Sequence, residues 1–411
     1  MRTSTAISGP RRFNRRDAGL AAVFSSSPTG HHTQHLHLKG KAASRPARLV
    51  WVALAAAALA TLPLAGALPA AAAAPITVCP AGCDHATIQA AITAAASGAT
   101  IVIEAGTYDG PLAIGTSLTL LGAGAAQTTI TVPPSGGTVI TVDTGVSAAV
   151  KGVTVSGGSS SYGGGIVNES GAALTLKEVT VSHNSAQIRG GGIYNGAGAT
   201  LTADDSTLSG NTAAFGGGAM VNPGGTVALN GITVSHNSAK IRGGGIYNGA
   251  GATLTTDDST LAGNTAAFGG GAMVNPGGTV TLTGTTVTGN RSLAGRGGGI
   301  GNNGTLTLSD STITGNATGS DGGGLFNNAD GTLTVSDSTV SGNTAAGHGG
   351  GLFNLGPSAT LTGSTITGNT VGAVGGGIYL DSGTVTLQDS AVSGNVPDNC
   401  APPGAVAGCT G

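Results

Sequence analysis

Side chains able to do chemistry recur at one fixed place in this chain, immediately before a run of three glycines. In chain order that place holds Tyr162, Arg189, Phe215, Arg242, Phe268, Arg296, Asp321, His348 and Val374. A guanidinium can grip both oxygens of a carboxylate, and an aromatic ring can lie against a sugar face or beneath a cation. The order predicts Arg189, Arg242 and Arg296 alternating with Phe215 and Phe268 in one file, at near-stacking distance. Just past the glycines runs a second aromatic file of Tyr194, Tyr247, Phe326, Phe353 and Tyr379. The two files would flank a shallow groove floored by glycine, suited to an acidic polysaccharide.

Arg296, Asp321 and His348 follow one another in the first file, and an acid–base constellation can be drawn from them. They are one residue of each type, and no lyase or hydrolase motif surrounds them. Catalysis is therefore the alternative to a binding role. An acidic column opens Asp-Ser pairs at Asp205, Asp258, Asp310, Asp337 and Asp389. Asp310 and Asp337 would stand about 5 Å apart in successive repeats, close enough for calcium to bridge them. Gly231, Gly284 and Gly363 take the same place elsewhere, which favours Asp as a local turn cap. No cofactor is expected beyond that calcium option.

These residues must be positioned by a repeat. The glycine triplets begin at 163, 190, 216, 243, 269, 297, 322, 349 and 375, in steps of 25 to 28 residues. A second column keeps the same time: Asn184, Asn211, Asn237, Asn264, Asn290, Asn316, Asn343, Asn369 and Asn395. A period of this length signals units too small to bury their own apolar faces, which must stack. Each unit carries three short strand patterns, such as Thr305-Leu306-Thr307-Leu308, Ser311-Thr312-Ile313-Thr314 and Gly324-Leu325-Phe326-Asn327, separated by turn residues. A propeller blade needs four antiparallel strands and a longer repeat. The expected architecture is an all-β, right-handed parallel β-helix solenoid of three short strands per coil, each coil of about 26 residues rising about 4.8 Å. The Asn column is expected at a sharp corner, in the left-handed conformation Asn tolerates, with amides bonding up and down the stack. Residues 184–236 and 237–289 are a 53-residue double coil repeated with eight differences, so the stack tolerates insertion of whole coils.

With GGGIYN at 190–195 and GGGLFN at 349–354, the chain resembles pectin-lyase-like right-handed parallel β-helix proteins. In particular it resembles those whose repeats carry the GGAI and FxxN signatures of polymorphic outer-membrane proteins. The N-terminal stretch resembles the family too, from Thr87-Ile88-Gln89-Ala90-Ala91-Ile92 to Gly106-Thr107-Tyr108. That resemblance implies a short helix plugging the first coil.

Composition fits a repeat better than an ordinary globule: 76 of 411 residues are Gly, 8% are charged and 3% aromatic. Residues 1–48 hold nine Lys or Arg and one acid, a net +8, against seven basic and seventeen acidic residues, a net −10, over 75–411. No basic patch remains for nucleic acid. The order of the segments is a basic leader (1–48), a signal peptide (49–74) cleaved near Ala74, and an N-terminal cap with an amphipathic helix (75–98). The β-helix (99–397) and a C-terminal tail with a Cys pair (398–411) follow. The processed chain is thus expected to be secreted, extracellular or cell-wall associated, with no stable membrane insertion. Four cysteines in an exported chain read as two disulfides with three possible pairings, of which the local one, Cys79–Cys83 and Cys400–Cys409, closes each end separately; Cys79, Cys83 and His85 around a metal such as zinc is the alternative.

The functional expectation is a non-enzymatic surface or adhesion module that binds a polysaccharide or a surface protein. Its rivals are a polysaccharide lyase or glycoside hydrolase, and an ice-binding protein. The last would use Thr columns that open Thr-apolar-Thr triplets at Thr200, Thr253, Thr279, Thr305, Thr332, Thr360 and Thr384.

Overall fold

The computed structural model describes residues 74–133 and 136–410. The basic leader and the signal segment, except Ala74, lie outside the described residues. The rest is an all-β parallel solenoid whose coils stack through four sheets of 12, 13, 12 and 9 strands. One coil shows the plan. Its strands are Leu325–Asn327, Thr332–Ser336, Thr339–Ser341 and Thr344–Ala345, and each pairs in parallel with its counterpart one coil later. The fourth strand is an addition to the three expected, and at two residues it is too short to show alternation.

Alternation in the longer strands decides which side chains enter the core. Leu333 and Val335 point in, Val340 points in from the next strand, and Ala345 from the fourth, all at 2% exposure or less. Ile, Leu and Val in these columns bury their β-branched or γ-branched carbons against the coils above and below. The Thr columns take the outer face. Their register corrects one position: Thr332 pairs with Ser358, and Thr360 pairs with Thr334 in the neighbouring column.

The Asn column differs from expectation in its backbone. The left-handed corner belongs to the residue before it, His183 at φ 55°, His236 at 54° or a glycine such as Gly342 at 61°. Asn itself points into the core. Asn343 is fully buried, and its Nδ2 donates to Asn369 Oδ1 (2.9 Å) and to the Ile313 carbonyl (2.9 Å). Its Oδ1 accepts from the Asn316 backbone N–H (2.9 Å) and from Asn316 Nδ2 (3.0 Å). The same side-chain bond links every neighbouring pair from Asn184 to Asn395. A second buried ladder runs through Asn168, Asn195, Asn222, Asn248, Asn275, Asn302, Asn327 and Asn354 at the end of the first strand.

Both ends are closed by specific groups. The helix Ile88–Ala94 is capped by Thr87, whose Oγ1 accepts from Ala90 N–H, and it buries Ile88, Ala91 and Ile92. Seven residues cannot hold a helix alone, so packing on the first coil sustains it. Gln89 spends both ends of its amide on the backbone of Ala113 in the first strand of its sheet, covering an edge that would otherwise invite pairing. At the other end residues within 398–410 join the stack: Cys400–Ala401 is the last strand of its sheet and Val406 is buried. Asn399 Oδ1 accepts from Asn395 Nδ2 at 3.1 Å, four residues away, and so ends the ladder. Cys79–Cys83 and Cys400–Cys409 are both disulfide-bonded.

Because Asn343→Ala would leave the Asn316 backbone N–H unpaired and take one bond each from Asn316 Nδ2, Asn369 Oδ1 and the Ile313 carbonyl, it should lower stability by about 1 to 3 kcal/mol. A guanidinium melt of the variant checks this, and an unchanged midpoint would refute the ladder's role.

Candidate functional site

The first glycine of each triplet turns the chain from the fourth strand into the next coil's first strand. Gly190, Gly243 and Gly297 do so at φ 68°, 62° and 74°, where a side chain would be strained. In the coils that read FGGGAM the turning glycine is the second of the three, Gly217 (64°) or Gly270 (54°). The register there is shifted by one residue. Arg189 bridges Gly216, Gly216 bridges Arg242, and Gly269 bridges Arg296. Phe215 and Phe268 therefore do not alternate with the arginines. They sit one residue earlier, where Phe215 N–H donates to the Ile188 carbonyl (2.8 Å), and both are half exposed or more, at 50% and 58%. The physical cause is Ala219 or Ala272 standing where other coils have their third glycine, since Gly192 hydrogen-bonds across to Ala219.

This correction changes what surrounds each arginine. With glycine above it in the file, Arg189 reaches past Gly216 to lie 5.0 Å from the Tyr247 ring centroid, two coils on. Arg296 lies 5.0 Å from the Phe326 centroid and 6.0 Å from that of Phe353. The aromatic file is a partial stack: Phe326 to Phe353 is 5.2 Å, Phe353 to Tyr379 is 5.1 Å, and Tyr162 meets Tyr194 edge-on at 5.3 Å. Phe326 and Phe353 are buried beneath this cover. In the coils between Tyr194 and Phe326 other than that of Tyr247, the place is held by Val221, Val274 and Gly301.

Arg296, Asp321 and His348 come together. Arg296 Nε lies 3.3 Å from Asp321 Oδ2, and His348 Nδ1 lies 3.3 Å from Asp321 Oδ1, which also accepts the His348 backbone N–H at 3.1 Å. The His348 ring in turn lies 4.5 Å from that of Tyr379. An Nδ1–H donated to Asp321 would leave Nε2 free to take a proton, the arrangement a general base needs. Asp310 and Asp337 occupy left-handed corners, at φ 51° and 48°, in the column shared with Gly284 and Gly363. That backbone demand accounts for Asp and Gly exchanging there. Among the described residues no three His, Cys, Asp or Glu side chains gather as a metal-binding group.

A cavity of about 620 Å³ opens on this corner, within the range of small-ligand sites. Its walls include Arg242, Phe268, Arg296 and Phe326, drawn from four successive coils, and Gly301 and Asn303 also line it. The sequence signal for it was the single glycine at 301 in a column otherwise held by larger side chains.

Residues 245–405 match the family described as a right handed beta helix region. With the stacking above, this match supports a right-handed parallel β-helix. Among solved structures it is similar to the A-module of the mannuronan C-5 epimerase AlgE4 of Azotobacter vinelandii, with 18% identity and a TM-score of 0.43, over 75% of this chain and 91% of that one. It is similar to pectate lyase Pel9A, with 16% identity and a TM-score of 0.38, over 74% and 73% of the two chains. The catalytic domain of a GH87 α-1,3-glucanase is a further likeness, with 12% identity and a TM-score of 0.36, over 76% of this chain and 63% of that one. No curated protein sequence matches the chain.

Tyr194 has its hydroxyl pushed above the ordinary value of 10.0, first by burial and then by Tyr162 and Glu169, against the opposing pull of Arg189. The folded state therefore holds this proton longer than the unfolded chain does, and Tyr194 favours folding up to about pH 10, with that contribution lost as pH rises through its folded value. Absorbance titration of wild type against Tyr194→Phe should place the missing transition above pH 10; a difference curve centred below 10 would contradict the environment described.

Proposed function

We propose that the glycine-triplet corner binds an acidic polysaccharide, with Arg189, Arg242 and Arg296 on the carboxylates and the neighbouring rings against sugar faces. The observation that carries this is the placement of the three arginines at every second coil, with intervening glycines at 216 and 269 in the same file. The fold thereby spaces cations about 10 Å apart along one straight edge. Arg189 and Arg242 have no salt-bridge partner among the described residues, so their charge is available to a ligand. Disulfides at both ends support an extracellular setting. No helix among the described residues is long and apolar enough to cross a membrane.

The test is affinity electrophoresis and calorimetry on polygalacturonate and alginate, with dextran as neutral control. Arg189→Gln, Arg242→Gln and Arg296→Gln together should weaken polyuronate binding at least a hundredfold, the loss of two or more charge-assisted contacts at about 1.5–3 kcal/mol each, while circular dichroism stays native. Wild-type affinity in the triple variant would end the proposal. A second reading, turnover of the bound polymer, is supported by the contact of Arg296, Asp321 and His348. On that reading wild type releases new chain ends from a polyuronate and His348→Ala does not; no release by wild type excludes it for that polymer.

A further inference from the structure

The duplicated double coil supplies an internal comparison. In the first copy Arg189, Phe215, Gly216, Val221 and Pro223 lie beneath Tyr247, and Arg189 extends to that ring at 5.0 Å. In the second copy Arg242, Phe268, Gly269, Val274 and Pro276 repeat those walls, but the place of Tyr247 is taken by Gly301. Arg242 has no ring above it among the described residues, and the cavity stands where the tyrosine would be.

We propose that the cavity over Gly301 seats a single carboxylated sugar ring projecting from a polysaccharide, a branch or a chain end. This rests on the groove reading and assigns its specificity pocket. The charges suit a uronate: Arg242 and Arg296 stand on coils two apart and both line the space, and Arg242, with no salt-bridge partner among the described residues, is the guanidinium left for an entering carboxylate, Arg296 being held by Asp321. Phe268, 58% exposed, offers a ring face to the C–H side of a pyranose, and the buried Phe326 closes one wall. A hydroxyl donor is also called for. Asn303 lines the cavity with its Nδ2 engaged by Asp330 at 3.3 Å, while its Oδ1 is buried with no partner in the protein. Such an orphan acceptor is costly unless something donates to it. A sugar hydroxyl would.

The floor can be raised without breaking the fold. Gly301 is not left-handed, and a Cβ there would meet nothing closer than Gly270 N at 3.6 Å. Gly301→Ala therefore keeps the cavity, and Gly301→Tyr restores the side chain that the lower copy carries.

The experiment compares glucuronoxylan, which bears single uronate branches on a neutral chain, with unsubstituted xylan, by calorimetry on wild type and both variants. Wild type and Gly301→Ala should bind glucuronoxylan at least tenfold more tightly than xylan, and Gly301→Tyr, natively folded by circular dichroism, should bind the two alike. A preference that survives in Gly301→Tyr, or that is missing in wild type while polygalacturonate still binds, overturns the pocket and leaves the groove standing. Failure of wild type to bind polygalacturonate as well removes the groove and the pocket with it. Displacement of glucuronoxylan by p-cresol at equal concentration would give the cavity to an aromatic group and overturn the uronate assignment.

Discussion

The carboxamide-to-carboxamide hydrogen bond between successive coils is the constraint on which the rest depends. A three-residue or two-residue strand has little registration of its own, and a slip of one residue would turn every side chain to the opposite face. Two buried ladders of Asn remove that freedom. Each Asn of the Asn184 to Asn395 series must meet its counterpart at 2.9–3.0 Å or leave polar atoms unpaired in an apolar core. Short strands that would be marginal alone are thereby held in line, and side chains on the outside inherit the same vertical order.

That order is what turns a repeat into a surface with chemistry. Arg189, Arg242 and Arg296 share one edge because the backbone beneath them is pinned by Asn. The shift in the FGGGAM coils then gives each arginine a glycine neighbour in place of another bulky residue. Arg189 uses that space to reach a ring two coils on; Arg296, with Asp321 on its later side, lies over Phe326 of the next coil, and Arg242 meets no ring among the described residues. The local asymmetry arises from one column, in which Tyr247 and Gly301 occupy equivalent places above two nearly identical walls.

Much of this was legible before any coordinates. The period and the inward alternation follow from residue order and from the need to bury apolar faces, whereas the capping role of the helix came with the family resemblance and the local Cys pairs were one of three possible pairings. The arginine file was legible only in part. Gly216-Gly217-Gly218 looks identical to Gly190-Gly191-Gly192, so aligning the glycines places Phe215 beside Arg189, and nothing within the glycines reveals the offset. The decisive marker is the buried Asn that follows, Asn195 against Asn222, which puts Gly217 opposite Gly190. The fourth strand was hidden because two residues carry no period. The left-handed corner was misplaced by one residue because Gly and Asn, both tolerant of that conformation, stand next to each other.

All the side-chain amides of the long ladder donate in the same sense, from each coil to the one after it, until Asn395 donates to Asn399. Asn399 belongs to the same turn of chain and sends its own Nδ2 to the Thr410 carbonyl, folding the series back on itself. A second molecule placed end-on here would find no ladder donor left unpaired. Continuation of the amide ladder into a second molecule is therefore closed off by one amide.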